Sequence, residues 1–239
     1  MANSHIYSPF DEELKYLARR IAEMGGMAEQ MVSDAVRALV NSDSALAQRV
    51  ISEDVLMDEA EREIGDKAIL MIAKRQPVAS DLREVIGSIR IASDLERVGD
   101  LGKSNAKRVI AVQNTGVPRP LARGIEHLSE LALFQLKEVL DVFSNRSAEK
   151  AEAIRRRDEE IDAMYTSLFR ELLTYMMEDP RNITSCTHLL FCAKNIERIG
   201  DHATNIAETI YYMSTGENPT GERPKDDNTA SVIQPVDQG

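Results

Sequence analysis

The sequence predicts an all-α protein of two tandem three-helix bundles followed by a disordered C-terminal tail. Three observations carry that expectation. Apolar residues make up 43% of the 239-residue chain, yet aromatic residues only 5%, and tryptophan is absent. The core must therefore come from Leu, Ile, Val, Ala and Met, most of which suit helix–helix packing. Pro and Gly are sparse, which favours long helices over short strands and turns. The few strong breaks divide the chain into six long segments, three on either side of one Pro- and Gly-containing stretch.

Each element follows from its punctuation. In the first segment Ser8 can cap, Pro9 suits the first turn and Asp11 stands three residues after the cap. This helix runs to about Val40. Asn41-Ser42-Asp43-Ser44 is a polar turn with capping chemistry, and the second helix extends from it to about Arg75. Gln76-Pro77 breaks that helix, and a third runs from Ser80-Asp81 to about Val112. Asn114-Thr115-Gly116-Val117-Pro118-Arg119-Pro120 marks the boundary between halves. Beyond it, one helix spans about Leu121 to Phe143 and ends at Ser144-Asn145-Arg146-Ser147. The next runs to about Met177. Asp179-Pro180 supplies a cap and a first-turn proline, and the last helix reaches about Met213. The two bundles are placed at residues 8–113 and 119–215, and the polar stretch 216–239 is read as the disordered tail. Long helices joined by short turns pack as antiparallel neighbours.

The formal net charge of −11 repels phosphate backbones and bare anionic lipid. It argues against nucleic-acid binding and is compatible with cations or a basic protein partner. The run Arg155-Arg156-Arg157 is surrounded by acids and reads as a solvated helix face. Cys186 and Cys192 lie six residues apart on one helix and form neither a metal pair nor a redox motif. They read as small core residues in a reducing compartment. The N-terminus, MANSHIYSPF, has no basic region followed by an apolar stretch. No run approaches the roughly 18 apolar residues of a spanning helix. The expectation is a cytoplasmic protein that reaches the inner membrane only through protein partners.

The sequence repeats itself. Asp94-Leu95-Glu96-Arg97-Val98-Gly99-Asp100 matches Asn195-Ile196-Glu197-Arg198-Ile199-Gly200-Asp201, 101 residues apart. Upstream, the Asp54 and Asp58 pair matches Asp158 and Asp162, 104 residues apart. All four pairs have i,i+4 spacing, so both carboxylates of a pair share one helix face. Like charges so placed cost a helix a few tenths of a kcal/mol. If the second and third helices of each half lie side by side, four carboxylates converge, an arrangement favourable around a multivalent cation. A single acidic pair in an acidic helical protein reads as solvated surface, as Glu59 and Glu63 do. Recurrence in both halves, in the same order, favours the cation patch.

Gly99 and Gly200 precede the second carboxylate of each motif, where a helix glycine costs about 1 kcal/mol relative to alanine. Close approach of a neighbouring helix or of bound ions would justify them; so would simple tight packing. Arg97 and Arg198 could orient a carboxylate from behind or form ordinary surface salt bridges. Asn205, four residues beyond Asp201, could add an oxygen ligand, whereas His202 points about 100° away from Asp201. The chain has no P-loop, nucleophile motif or Glu-x-x-His pair, so no enzyme chemistry is expected. A metal-handling protein or metal-dependent enzyme built on the same carboxylates stands as the alternative.

Gln76-Pro77-Val78-Ala79-Ser80-Asp81-Leu82-Arg83, the motif at 94–100, and Ile196-Glu197-Arg198-Ile199-Gly200-Asp201-His202-Ala203 resemble the PhoU family over about residues 10–213. The resemblance implies two homologous three-helix bundles. It implies divalent or trivalent metal ions, in some members multinuclear iron, with zinc, manganese or magnesium as alternatives. By position the metal residues would be Asp54, Asp58, Glu96, Asp100, Asp158, Asp162, Glu197 and Asp201, supported by Arg97, Arg198 and Asn205. It further implies a negative regulator of high-affinity phosphate uptake and of the phosphate-starvation two-component response. Its partners would be the sensor histidine kinase and the ATP-binding subunit of the phosphate ABC transporter, with the protein itself a homodimer. Two departures bear on this. Asn195 stands where the first half has Asp94, and the second half has no counterpart of the Pro77–Arg83 segment beyond Pro180.

Overall fold

The computed structural model describes residues 9–113, 117–156 and 159–220. They form seven α-helices and no strand: α1 (Pro9–Asn41), α2 (Ser44–Arg75), α3 (Ala79–Val112), α4 (Arg119–Asn145), α5 (Ala148–Arg156), α6 (Glu159–Glu178) and α7 (Ile183–Thr215). A single 3₁₀ turn, Pro180–Asn182, precedes α7. The segment expected as one helix to Met177 is described as α5 and α6, with residues 157–158 between them outside the described residues.

The helix ends obey the local chemistry. Asp43 accepts a hydrogen bond from the Leu46 amide at 2.9 Å and so caps α2. Gln76 closes α2 in the left-handed region at φ +49°, its N–H donating to the Ile72 carbonyl at 3.0 Å, and Pro77 prevents continuation. Asp179 accepts from the Arg181 amide at 3.0 Å, and Pro180 opens the turn. Gly216 ends α7 at φ +81°. After it, residues 217–220 continue without helix, and 221–239, the bulk of the expected tail, lie outside the described residues. Asp43→Ala is expected to cost about 1 kcal/mol. A lower urea midpoint at unchanged slope would register it.

Helical periodicity selects the buried face. On α1, Leu17, Ile21, Met24, Ala28, Met31, Val32 and Ala35 recur at three- and four-residue spacing and are buried. α1, α2 and α3 pack together as one bundle, and α4, α5, α6 and α7 as the other. α3 also packs on α7, and α1 on α4, so the apolar residues of both halves merge into one core. At the α1–α4 crossing Gly25 leaves room for Leu140; a Cβ there would sit 2.7 Å from its methyl carbons.

Arg155 departs from the solvated face expected of its run. It is buried, with its guanidinium 3.0 Å from Glu208 and 3.5 Å from Glu152. α5 turns that edge onto α7, and the two acids compensate the charge. Cys186 and Cys192 are buried free thiols, and burial pushes Cys192 up to about 12. Among the described residues no helix is long and apolar enough to cross a membrane.

Candidate functional site

The repeated acids of the first half gather where α2 lies against α3. An added Cβ on Gly99 would stand 3.1 Å from Met57 Cγ, so the glycine admits a close approach of α2. Asp54 is buried, and Lys103 reaches across from α3 to form a short ion pair with its Oδ2. The same ammonium lies 3.6 Å from Asp100 Oδ1. Lys103 thus ties the α2 acid to the second α3 acid. Glu96, one turn before Asp100, is mostly shielded. Burial first, and the charge of Asp100 second, push its carboxyl up to about 7; Arg97 opposes them and Glu61 adds to them. Arg97 spans both acids, 3.5 Å from Glu96 and 3.3 Å from Asp100. Asp58 is half-buried on α2, one turn beyond Asp54.

The second half repeats the plan with a different cation. Asp162 on α6 and Glu197 on α7 are both buried. Burial raises the Glu197 pKa, Asp201 and Asp162 add to the rise, and Lys194 opposes it. Lys194 Nζ sits 3.0 Å from Glu197 Oε2 and 5.0 Å from the Tyr165 ring centre. Asp201 is half-buried. Asp158 lies outside the described residues. The lysines are not equivalent: Thr204 stands opposite Lys103 in the repeat, and Ser93 opposite Lys194.

Sequence reasoning picked out the acids and missed the two lysines and Glu61. The signal was available, because Lys103 follows Asp100 by three residues and Lys194 precedes Glu197 by three, both facing spacings on a helix. Among the described residues no group of three or more His, Cys, Asp or Glu side chains is arranged to hold a metal ion. The donor chemistry nevertheless fits a hard cation: the groups are carboxylate oxygens, and burial beside Asp100 raises the cost of leaving Glu96 charged. A metal would have to displace the Lys103 ammonium.

Asn205 and Arg198 lie at the crossing of α3 and α7. Asn205 donates to Asp94 Oδ1 at 3.4 Å, and His202 Nδ1 lies 2.9 Å from the same oxygen. In the mirrored arrangement Asn195 donates to Ser104 Oγ at 3.1 Å and to Asn105 Oδ1 at 2.8 Å. Position 94 thus meets 205 while position 195 meets 104, so α3 and α7 cross antiparallel about a pseudo-two-fold axis. The repeat registers of Asp94 and Asn195, and of Ser104 and Asn205, form this seam between halves. Arg198 is exposed and forms no ion pair among the described residues. With Arg97, its repeat counterpart, it lines a cleft between α3 and α7.

Comparison with known proteins agrees with this duplicated architecture. The PhoU domain matches twice, over residues 21–109 and 125–210. The chain is 78% identical, over 97% of its own length and 98% of the relative's, to a phosphate-specific transport system accessory protein PhoU homolog of Rhizobium meliloti (strain 1021). It is 40% identical to the phosphate-specific transport system accessory protein PhoU of Escherichia coli (strain K12), over 90% of this chain and 89% of that one. The crystal structure of PhoU from Pseudomonas aeruginosa superposes with a TM-score of 0.83 at 38% identity, covering 87% of this chain and all of that one. A doubly matched domain, end-to-end relatives and a shared fold lead to one conclusion: the chain belongs to the PhoU family.

Proposed function

We propose that this chain is an accessory protein of phosphate transport. In this reading it is a negative regulator of high-affinity phosphate uptake and of the phosphate-starvation two-component response. It acts as an adaptor between the ATP-binding subunit of the phosphate ABC transporter and the sensor histidine kinase, in the cytoplasm and as a homodimer. The observation that carries the reading is the end-to-end identity with the Rhizobium accessory protein. Long helical faces suit the docking of such partners. Deletion of the gene should raise phosphate uptake and leave phosphate-responsive expression on when phosphate is plentiful. Unchanged uptake and expression in the deletion strain would sink the proposal.

We also propose that the two carboxylate patches take up divalent or trivalent cations, iron, zinc, manganese or magnesium among them. In the first half Asp54, Asp58, Glu96 and Asp100 would supply the oxygens and Arg97 would steady the acids it touches. In the second half the donors would be Asp158, Asp162, Glu197 and Asp201. Elemental analysis of the purified protein should find metal that Asp100→Ala and Asp201→Ala reduce; equal metal content in all three proteins would refute it. A metal-handling protein or metal-dependent enzyme built on the same carboxylates is the second reading, favoured by their recurrence in the same order in both halves. Oxidase or hydrolase turnover by the metal-loaded protein would support it.

A further inference from the structure

The cleft between α3 and α7 has a volume of about 340 Å³. Its lining carries four permanent cations, Arg97, Lys103, Lys107 and Arg198, against one carboxylate, Asp100. Ser104 and Asn195 add polar groups to its wall. This is a positive hollow on a chain with 40 acids and 29 bases. Two of its cations are spoken for: Arg97 touches Glu96 and Asp100, and Lys103 touches Asp54 and Asp100. Arg198 and Lys107 are exposed and form no ion pair among the described residues. Their charge faces solvent inside a concave site, where field lines converge on an incoming anion.

The ligand class follows from charge, size and lining. Arginine forks suit phosphate oxygens, which they bind two at a time, and lysines act as point charges beside them. A volume near the lower end of the roughly 300–1,000 Å³ of small-molecule sites is many times the ~30 Å³ share of one water. A single tetrahedral oxyanion would leave most of it unfilled, whereas a chain of two or three phosphates spans it. Among the described residues no aromatic ring lines the cleft apart from the His202 imidazole, which is engaged by Asp94. The wall therefore recognises phosphate groups rather than stacking a base. We propose that the α3–α7 cleft binds the phosphate chain of a small di- or triphosphate, free or carried by a nucleotide, with Arg198 and Lys107 as principal contacts. The cleft shares Arg97, Asp100 and Lys103 with the first carboxylate patch, so it is tested on metal-free protein; its principal contacts, Arg198 and Lys107, supply no oxygen to either patch, which keeps its failure distinguishable from that of the metal reading.

Calorimetric titration of the full chain, dialysed free of metal and then of chelator, tests it. Tripolyphosphate should bind one per chain and weaken steeply with added salt. Arg198→Ala should weaken it about tenfold or more, because a charge-assisted contact is lost. Lys107→Ala should weaken it by a smaller factor. Both side chains are exposed, so circular dichroism and melting should be unchanged in the variants. ATP binding as tightly as tripolyphosphate identifies a nucleotide as the source, and weaker ATP binding identifies free polyphosphate. The proposal is overturned by no binding, by orthophosphate binding equal to tripolyphosphate, or by binding indifferent to Arg198→Ala. Exclusive capture of an acidic peptide would overturn it as well.

Discussion

Lys103→Met is expected to lower the stability of the metal-free protein by about 2–3 kcal/mol at neutral pH. The side chain of Asp54 is 8% exposed, and Lys103 is its ion-pair partner. Removing one member of a buried pair leaves an uncompensated charge, which costs about 3–5 kcal/mol when fully shielded. Lys103 is 26% exposed, so solvent screening trims the loss. The double variant Asp54→Asn/Lys103→Met should recover most of it, since the stranded charge is gone. The single variant also empties the position between Asp54 and Asp100 that the ammonium holds. A divalent cation added at about a hundred times its dissociation constant should then restore ~2.7 kcal/mol. Urea unfolding with and without manganese or magnesium measures both effects. If Lys103→Met is destabilised and no cation rescues it, the first carboxylate patch is a structural ion pair and nothing more.

Glu96 sets the second large effect, through pH. Its folded carboxyl titrates at about 7, against 4.5 for the ordinary group, because of burial and then Asp100. The folded state therefore binds this proton more tightly than the unfolded state does. Stability contributed by Glu96 is gained as pH falls from about 7 to about 4.5, levels off below that, and is lacking above 7. At about 1.36 kcal/mol per unit, the charged group destabilises the metal-free fold by roughly 3 kcal/mol at pH 8. Glu96→Gln should remove that cost, so the variant should be the more stable protein at pH 8 and lose its advantage near pH 4.5. Parallel stability curves for the two proteins from pH 4.5 to pH 8 would rule this out. Protons and cations compete for the same oxygens, so cation affinity should fall as pH drops through 7, and Glu96→Gln should flatten that dependence.

Helix ends are legible in the sequence because capping is local chemistry. Asp43, Gln76-Pro77 and Asp179-Pro180 announce their turns within a few residues, and each acts as its composition implies. The acidic pairs are legible for the same reason, since i,i+4 spacing settles which face they share. What lies beside them is not local. Lys103 meets Asp54 across 49 residues of chain, and only the close packing of α2 on α3 at Gly99 brings them together. Arg155 reads as solvated because its neighbours in sequence are acids; its neighbours in space are Glu208 on α7 and Glu152 one turn away. Asn195 differs from Asp94 in the repeat for a reason invisible along the chain. Asn195 must donate to Ser104 and Asn105, while Asp94 must accept from Asn205.

The crossing of α3 and α7 has a consequence for orientation. Two copies of one bundle related by a two-fold axis would present the same surface twice, and a partner could settle on it in either of two poses half a turn apart. The divergence of the halves removes that degeneracy. Lys107 on one side of the axis is answered by Glu208 on the other, and Lys103 by Thr204. One flank of the crossing is cationic, while in the other Glu208 lies against buried Arg155. The duplicated chain thus carries a compass: any ligand or protein that reads charge at this crossing meets a molecule with a front and a back.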